Sequence, residues 1–190
     1  MRTPRLLSLF ALLLAFIPLP IAAQQKSTSA TGWVQTKKTE PGGEASQIQF
    51  TLAGKFLTRP QRDPGTPPTL VMMCHPRGSR GRFISASVNV GAPLAVQYVE
   101  PEEIKAGMSY YPKVEVHYRL DDSKEEKAQW TPGSDKASVS LPKDEVKKML
   151  AAHTAQFTVA ENRAGEITMQ FDIPDSTQVE TVCDLPARKK

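Results

Sequence analysis

PKVEVHYRLDD, residues 112–122, decides the fold. Val114, Val116, Tyr118 and Leu120 alternate with Glu115, His117, Arg119 and Asp121. A strict period of two marks a strand with one buried and one wet face. The wet face carries a dense set of ionisable side chains, and the apolar face predicts a place near the middle of a β-sheet.

Strands of the same kind flank it. Trp33 opens a short one over 33–37, and the Pro41-Gly42-Gly43 turn links it to 47–53, where Ile48, Phe50 and Leu52 share a face. Residues 69–74 and 83–90 predict a second hairpin, its Gly-rich turn PRGSRGR (76–82) carrying Arg77, Arg80 and Arg82. Between these hairpins, 55–68 is proline-dense and is expected to be a surface loop. Residues 95–99 and 137–141 are short candidate strands. Residues 123–127 are expected to be a charged loop that isolates Trp130. The last strands expected are 157–161, 166–173 and 178–183.

One helix is expected, over 142–153. Pro142 suits its first turn, Ser140 is a candidate cap, and Asp144 and Glu145 oppose the positive end of the dipole. Val146, Met149, Leu150 and His153 fall on one face. His153 is expected to end the helix, where a cation suits the dipole. The expected fold is therefore mainly β: an antiparallel β-sandwich or half-barrel with one packed α-helix. Its expected core is Trp33, Ile48, Phe50, Leu52, Leu70, Met72, Ile84, Val88, Val114, Val116, Tyr118, Leu120, Met149, Leu150, Phe157, Val159, Ile167, Met169, Phe171 and Ile173.

The N-terminus reads as an export signal. Arg2 and Arg5 precede the apolar run 6–17, Pro18 and Pro20 end it, and Ala22-Ala23 offers small residues at the cut. The run is shorter than the ~20 residues a spanning helix needs, so no transmembrane anchor is expected after cleavage. The organisation is then a signal peptide (1–23), a lead-in (24–32), one β-rich domain (33–185) and a basic tail (186–190). Arg2 and Arg5 leave with the signal and no acid does, so the formal charge falls from +4 to +2. A nearly balanced exported surface argues against nucleic acid and leaves an envelope protein or an anionic envelope polymer as the expected partner.

Cys74 and Cys183 are the only two cysteines. An even number in an exported chain predicts a disulfide. A catalytic Cys74 is the alternative, but the adjacent His75 points to the opposite face of a strand, so the two make a poor dyad. His75, His117 and His153 are too scattered to predict a metal site. Nucleotide-binding and nucleophile-elbow motifs are absent, and no cofactor or catalytic residue is assigned. His117, Arg119 and Asp121, with Arg77, Arg80 and Arg82, are the candidate binding residues.

The order of landmarks carries a resemblance. Trp33 opens the domain and a strand ends in Cys74. Then come V-x-Y-R-L-D-D at 116–122, Trp130, a helix with Met149-Leu150, a strand with Phe157 and Val159, and Phe171-Asp172-Ile173 before Cys183. This resembles the exported type VI secretion accessory proteins of the TagO (VasI) type and related stand-alone envelope domains. The chain departs from that pattern in its proline-dense segment and in the length before Pro112. The resemblance implies a β-rich fold and a periplasmic or extracellular location more than an activity. The function expected is a non-enzymatic binding or accessory module, possible secretion association included. An envelope hydrolase working through His117, Arg119 and Asp121 is one alternative, and a structural subunit of a larger assembly is another.

Overall fold

The alternation at 112–122 becomes a long strand, Tyr111–Leu120, with Val114, Val116 and Tyr118 buried and Glu115, His117 and Arg119 outward. The computed structural model describes residues 32–39, 46–59, 66–78, 81–99 and 111–183, with side chains described except at 38, 39, 46, 76–78, 81–83 and 99. The signal peptide, nearly all of the lead-in, the basic tail and Arg80 lie outside the described residues, as do the side chains of Arg77 and Arg82.

In chain order the elements are β1 (Val34–Thr39), β2 (Ser46–Ala53), β3 (Lys55–Thr58), β4 (Thr69–Gly78), β5 (Gly81–Asn89), β6 (Gln97–Val99) and β7 (Tyr111–Leu120). Then follow β8 (Glu126–Pro132), β9 (Ser138–Leu141), α1 (Lys143–Ala151), β10 (Thr154–Glu161), β11 (Gly165–Asp172) and α2 (Thr177–Cys183). The fold is mostly β, one antiparallel sheet in the order β1-β2-β4-β5-β9-β8-β7-β10-β11-β3, with β6 pairing β7 off that path. It agrees with the expected sandwich or half-barrel with a packed helix.

The sheet has two halves, joined at the β8–β9 hairpin and at Gly54, and also by the segment after β5, where Leu94 bridges to Glu161. At the hairpin only Thr131↔Ser140 and Pro132↔Val139 pair. The chain pairs with β4 through β2, passes Gly54, and pairs with β11 at the far end of the sheet through β3. A Cβ on Gly54 would sit 2.6 Å from the Phe171 ring and 2.8 Å from the Gln170 carbonyl oxygen. Only glycine lets the strand pass that close to β11. The Gly54 N–H donates to the Pro68 carbonyl at 2.8 Å, so the crossing keeps its backbone satisfied.

The core lies between the halves. Phe50, Leu70, Met72, Val88, Val114, Val116, Phe157, Ile167, Met169 and Phe171 are almost wholly buried. An aromatic chain crosses it: Tyr118–Trp130, Trp130–Phe157 and Phe157–Phe171, with ring centroids 5.2, 5.9 and 5.9 Å apart. Such tilted and edge-on contacts suit the ring quadrupoles. Of the expected core residues, Ile48 and Leu120 are only partly buried against the rest.

Five expectations are corrected. Trp130 is not isolated. It is the inward residue of β8 opposite Val114, and 126–127 begin that strand instead of ending a loop. Residues 55–58 are an edge strand, because the prolines of that segment start only at Pro60. Ser140 belongs to β9 and caps nothing. Pro142 takes the N-cap place of α1 with no side-chain cap bond. His153 lies beyond the end of α1 at Ala151. Residues 177–183 are a helix, not a strand. Asp175 accepts the Thr177 N–H at 3.0 Å and its hydroxyl at 2.7 Å, and the four-residue spacing buries Val179 and Cys183 on one side.

Candidate functional site

The outward face of β7, β8 and β10 holds the most ionisable side chains of the described surface that the sequence singled out. Antiparallel register sets their meeting. His117 lies opposite Lys127 on β8 and Thr158 on β10, Glu115 opposite Gln129, and Arg119 opposite Gln156. Facing residues in such ladders have Cβ atoms about 5 Å apart, so long polar side chains touch across the strands.

His117 joins two carboxylates. Its Nε2 is 3.1 Å from Glu115 Oε1 and its Nδ1 is 3.1 Å from Glu125 Oε1. Lys127 Nζ reaches the same Glu115 oxygen at 2.9 Å. The Lys127 ammonium first, and His117 second, hold the Glu115 carboxyl below its ordinary range. Glu125 first, and Glu115 second, hold the His117 imidazole above its ordinary value. Opposite charge at hydrogen-bond distance favours the charged form of each group.

Arg119 stands apart from this cluster. Its Nη2 donates to Gln156 Oε1 at 2.6 Å, and among the described residues it makes no ion pair. Asp121 does not belong to the face. It follows β7 with φ 50, and its Oδ1 accepts the His153 and Thr154 N–H groups, each at 2.8 Å. The Thr154 N–H, followed by that of His153, keeps this carboxyl low against the opposing effect of desolvation. Asp121 therefore ties the β7–β8 turn to the start of β10. The structure brings His117 to Glu115 and Glu125, sets Arg119 one register step away, and takes Asp121 out of the set.

A second group sits on the inner side, where β8 meets α1. Tyr118 is buried and its hydroxyl donates to Glu126 Oε2 at 2.6 Å. Burial first, then Glu126 and Glu145, pushes the phenol well above its ordinary value. Glu145 is itself bridged to Lys148 at 2.9 Å. On the outer face of β4 and β5, His75 Nε2 lies 2.9 Å from Ser85 Oγ. Cys74 faces inward and is bonded to Cys183, so its sulfur is not a free nucleophile. Among the described residues, no group of three His, Cys, Asp or Glu is placed to hold a metal ion, and no helix is long and apolar enough to cross a membrane.

Glu125, Lys127 and Gln156 were not legible as partners of His117 and Arg119 from local alternation. The turn signal Asp121-Asp122-Ser123 was the available clue, because a tight hairpin there forces residue 127 opposite residue 117. Comparison with family models, with curated proteins and with solved structures finds no match for this chain.

Proposed function

We propose that this protein is an exported, non-enzymatic binding module of the bacterial envelope, with the outward face of β7, β8 and β10 as its partner surface. The observation that carries this is Arg119. It is exposed, held at one nitrogen by Gln156, and pairs with no carboxylate among the described residues. An arginine keeps several planar donors for one incoming acidic group, and arginine is enriched among residues that dominate binding energy. The fitting partner is an envelope protein presenting a carboxylate. The Cys74–Cys183 disulfide supports an oxidising compartment, and the TagO-type resemblance makes a secretion-associated partner the first to test.

The test is capture from envelope extract by the exported protein and by its Arg119→Glu variant. A protein retained by the first and lost by the second supports the surface. Retention of an anionic polymer instead would assign the face to that polymer, and equal capture by both forms would reject the face. Mass spectrometry of the exported form is expected to find Gln24 at its start, and a retained Met1 would overturn the export step.

A further inference from the structure

We infer that Glu115, His117 and Glu125 form a pH-operated latch, which holds the Glu125 side of the β7–β8 turn against the sheet while His117 is protonated and releases it when His117 loses a proton. This goes beyond the proposed binding role and does not depend on it.

Proton counting carries the inference. Each ring nitrogen of His117 is 3.1 Å from a carboxylate oxygen. A carboxylate only accepts, so both nitrogens must donate, and only the imidazolium has two N–H groups. A neutral ring leaves one nitrogen lone pair facing a carboxylate. The two carboxylates are not equivalent. Glu115 is fixed on a central strand and keeps Lys127 at 2.9 Å and Gln129 at 3.5 Å whatever His117 does. Glu125 is 62% exposed, lies in the segment between β7 and β8, and has His117 as its bonding partner. It is the group able to swing out, and Lys124 beside it goes with it, while Ser123 stays bonded to Leu120 at the tip of the turn.

The surroundings leave His117 as the switching group. Lys127 faces it from β8 but is taken by Glu115. Toward β10 it faces the uncharged Thr158, and Gln156 lies opposite Arg119. Arg119 follows it on its own strand and is engaged with Gln156. Asp121 at the other root of the turn stays bound to the backbone of His153 and Thr154, so opening is confined to the side that Glu125 holds.

The sign follows from the direction in which the His117 value moves. It is raised above 6.5, so the latch contributes fully below about pH 6.5 and is lost as pH rises through the higher folded value. The Glu115 carboxyl, lowered from 4.5, sets the acid limit of the cluster: its contribution is lost as pH falls through its folded value.

The experiment is an NMR pH titration of the exported protein, reading the His117 ring and the backbone relaxation of residues 124 and 125, with Ser123, bonded to Leu120, as the internal reference. The expected ring midpoint lies above 6.5, and the amides of 124 and 125 become more mobile with the same midpoint. Glu125→Gln is expected to lower the ring midpoint, and His117→Gln to remove the pH dependence of the turn while the circular dichroism spectrum stays that of the native sheet. A midpoint at or below 6.5, or turn relaxation that ignores the His117 titration, would overturn the latch. Neither readout needs a partner, so a failed capture experiment and a failed latch remain distinguishable.

Discussion

Cys183, the last residue of α2, is bonded to Cys74 inside β4, with their Cα atoms 5.1 Å apart across 109 residues of sequence. Both are buried, so the bond clasps the C-terminal helix onto the inner side of the sheet. Closing a loop of that size removes about 4–5 kcal/mol of unfolded-state entropy in the chain-entropy treatment. Cys183→Ser is expected to lower unfolding stability by roughly 2–5 kcal/mol, measured by urea denaturation. In the native protein, alkylation under denaturing, non-reducing conditions should label no thiol, and two labelled cysteines would refute the bond.

Gly54→Ala tests the crossing from β2 to β3. The added methyl meets the Phe171 ring at 2.6 Å and a backbone carbonyl at 2.8 Å, and the carbonyl cannot move aside without shifting β11. Overpacking of this kind costs about 1–3 kcal/mol. Thermal melts should show the loss, and an unchanged melt would mean that β3 does not lie along β11 as described.

Tyr118 should show itself at alkaline pH. Its phenol is raised above the ordinary value of 10.0, so its contribution is present below that pH and falls away as pH rises through the folded value. Wild-type urea midpoints should decline from about pH 10 upward. Tyr118→Phe should lose about 0.5–1.5 kcal/mol at neutral pH, from the missing bond to Glu126, and decline less steeply in alkali. Parallel alkaline limbs for the two proteins would show that Tyr118 is not the group responsible.

Arg119→Ala separates binding from folding. The side chain is exposed and makes one hydrogen bond, to Gln156. Surface changes of this sort stay within about 0.5 kcal/mol, so the melt should hardly move. Affinity for a captured envelope partner should fall by roughly 2 kcal/mol, about 30-fold, as it does when a central interface arginine is truncated. Isothermal titration against that partner decides it, and equal affinities would remove Arg119 from the surface.

The sequence by itself determined the mainly β fold, the inward faces of most of its strands and the partner of each cysteine. Val114, Val116 and Tyr118 are buried because alternation is a property of the chain backbone, repeated every two residues whatever the neighbours are. The pairing of Cys74 with Cys183 needed only the even number of cysteines and the expectation of export. Helix α1 was visible from the spacing of Val146, Met149 and Leu150. Helix α2 was not. Seven residues containing Val179 and Val182 fit a strand as well as a helix, and the capping by Asp175 together with the docking of Val179 and Cys183 decided between them.

Only the tertiary structure decided what the wet face of β7 means. Glu115, His117 and Arg119 share that face by periodicity, but whether His117 meets Arg119, Asp121 or Glu125 depends on the register of β8, a pairing between separate segments. One residue of left-handed backbone at Asp121 turned the chain and spent that carboxylate on backbone N–H groups. The use of Gly54 depended on Phe171, 117 residues further along the chain, coming to lie against it. Local composition sets which side of a strand faces water. Which charged groups meet there is set by contacts between residues far apart in sequence, which form only when the sheet closes around its core.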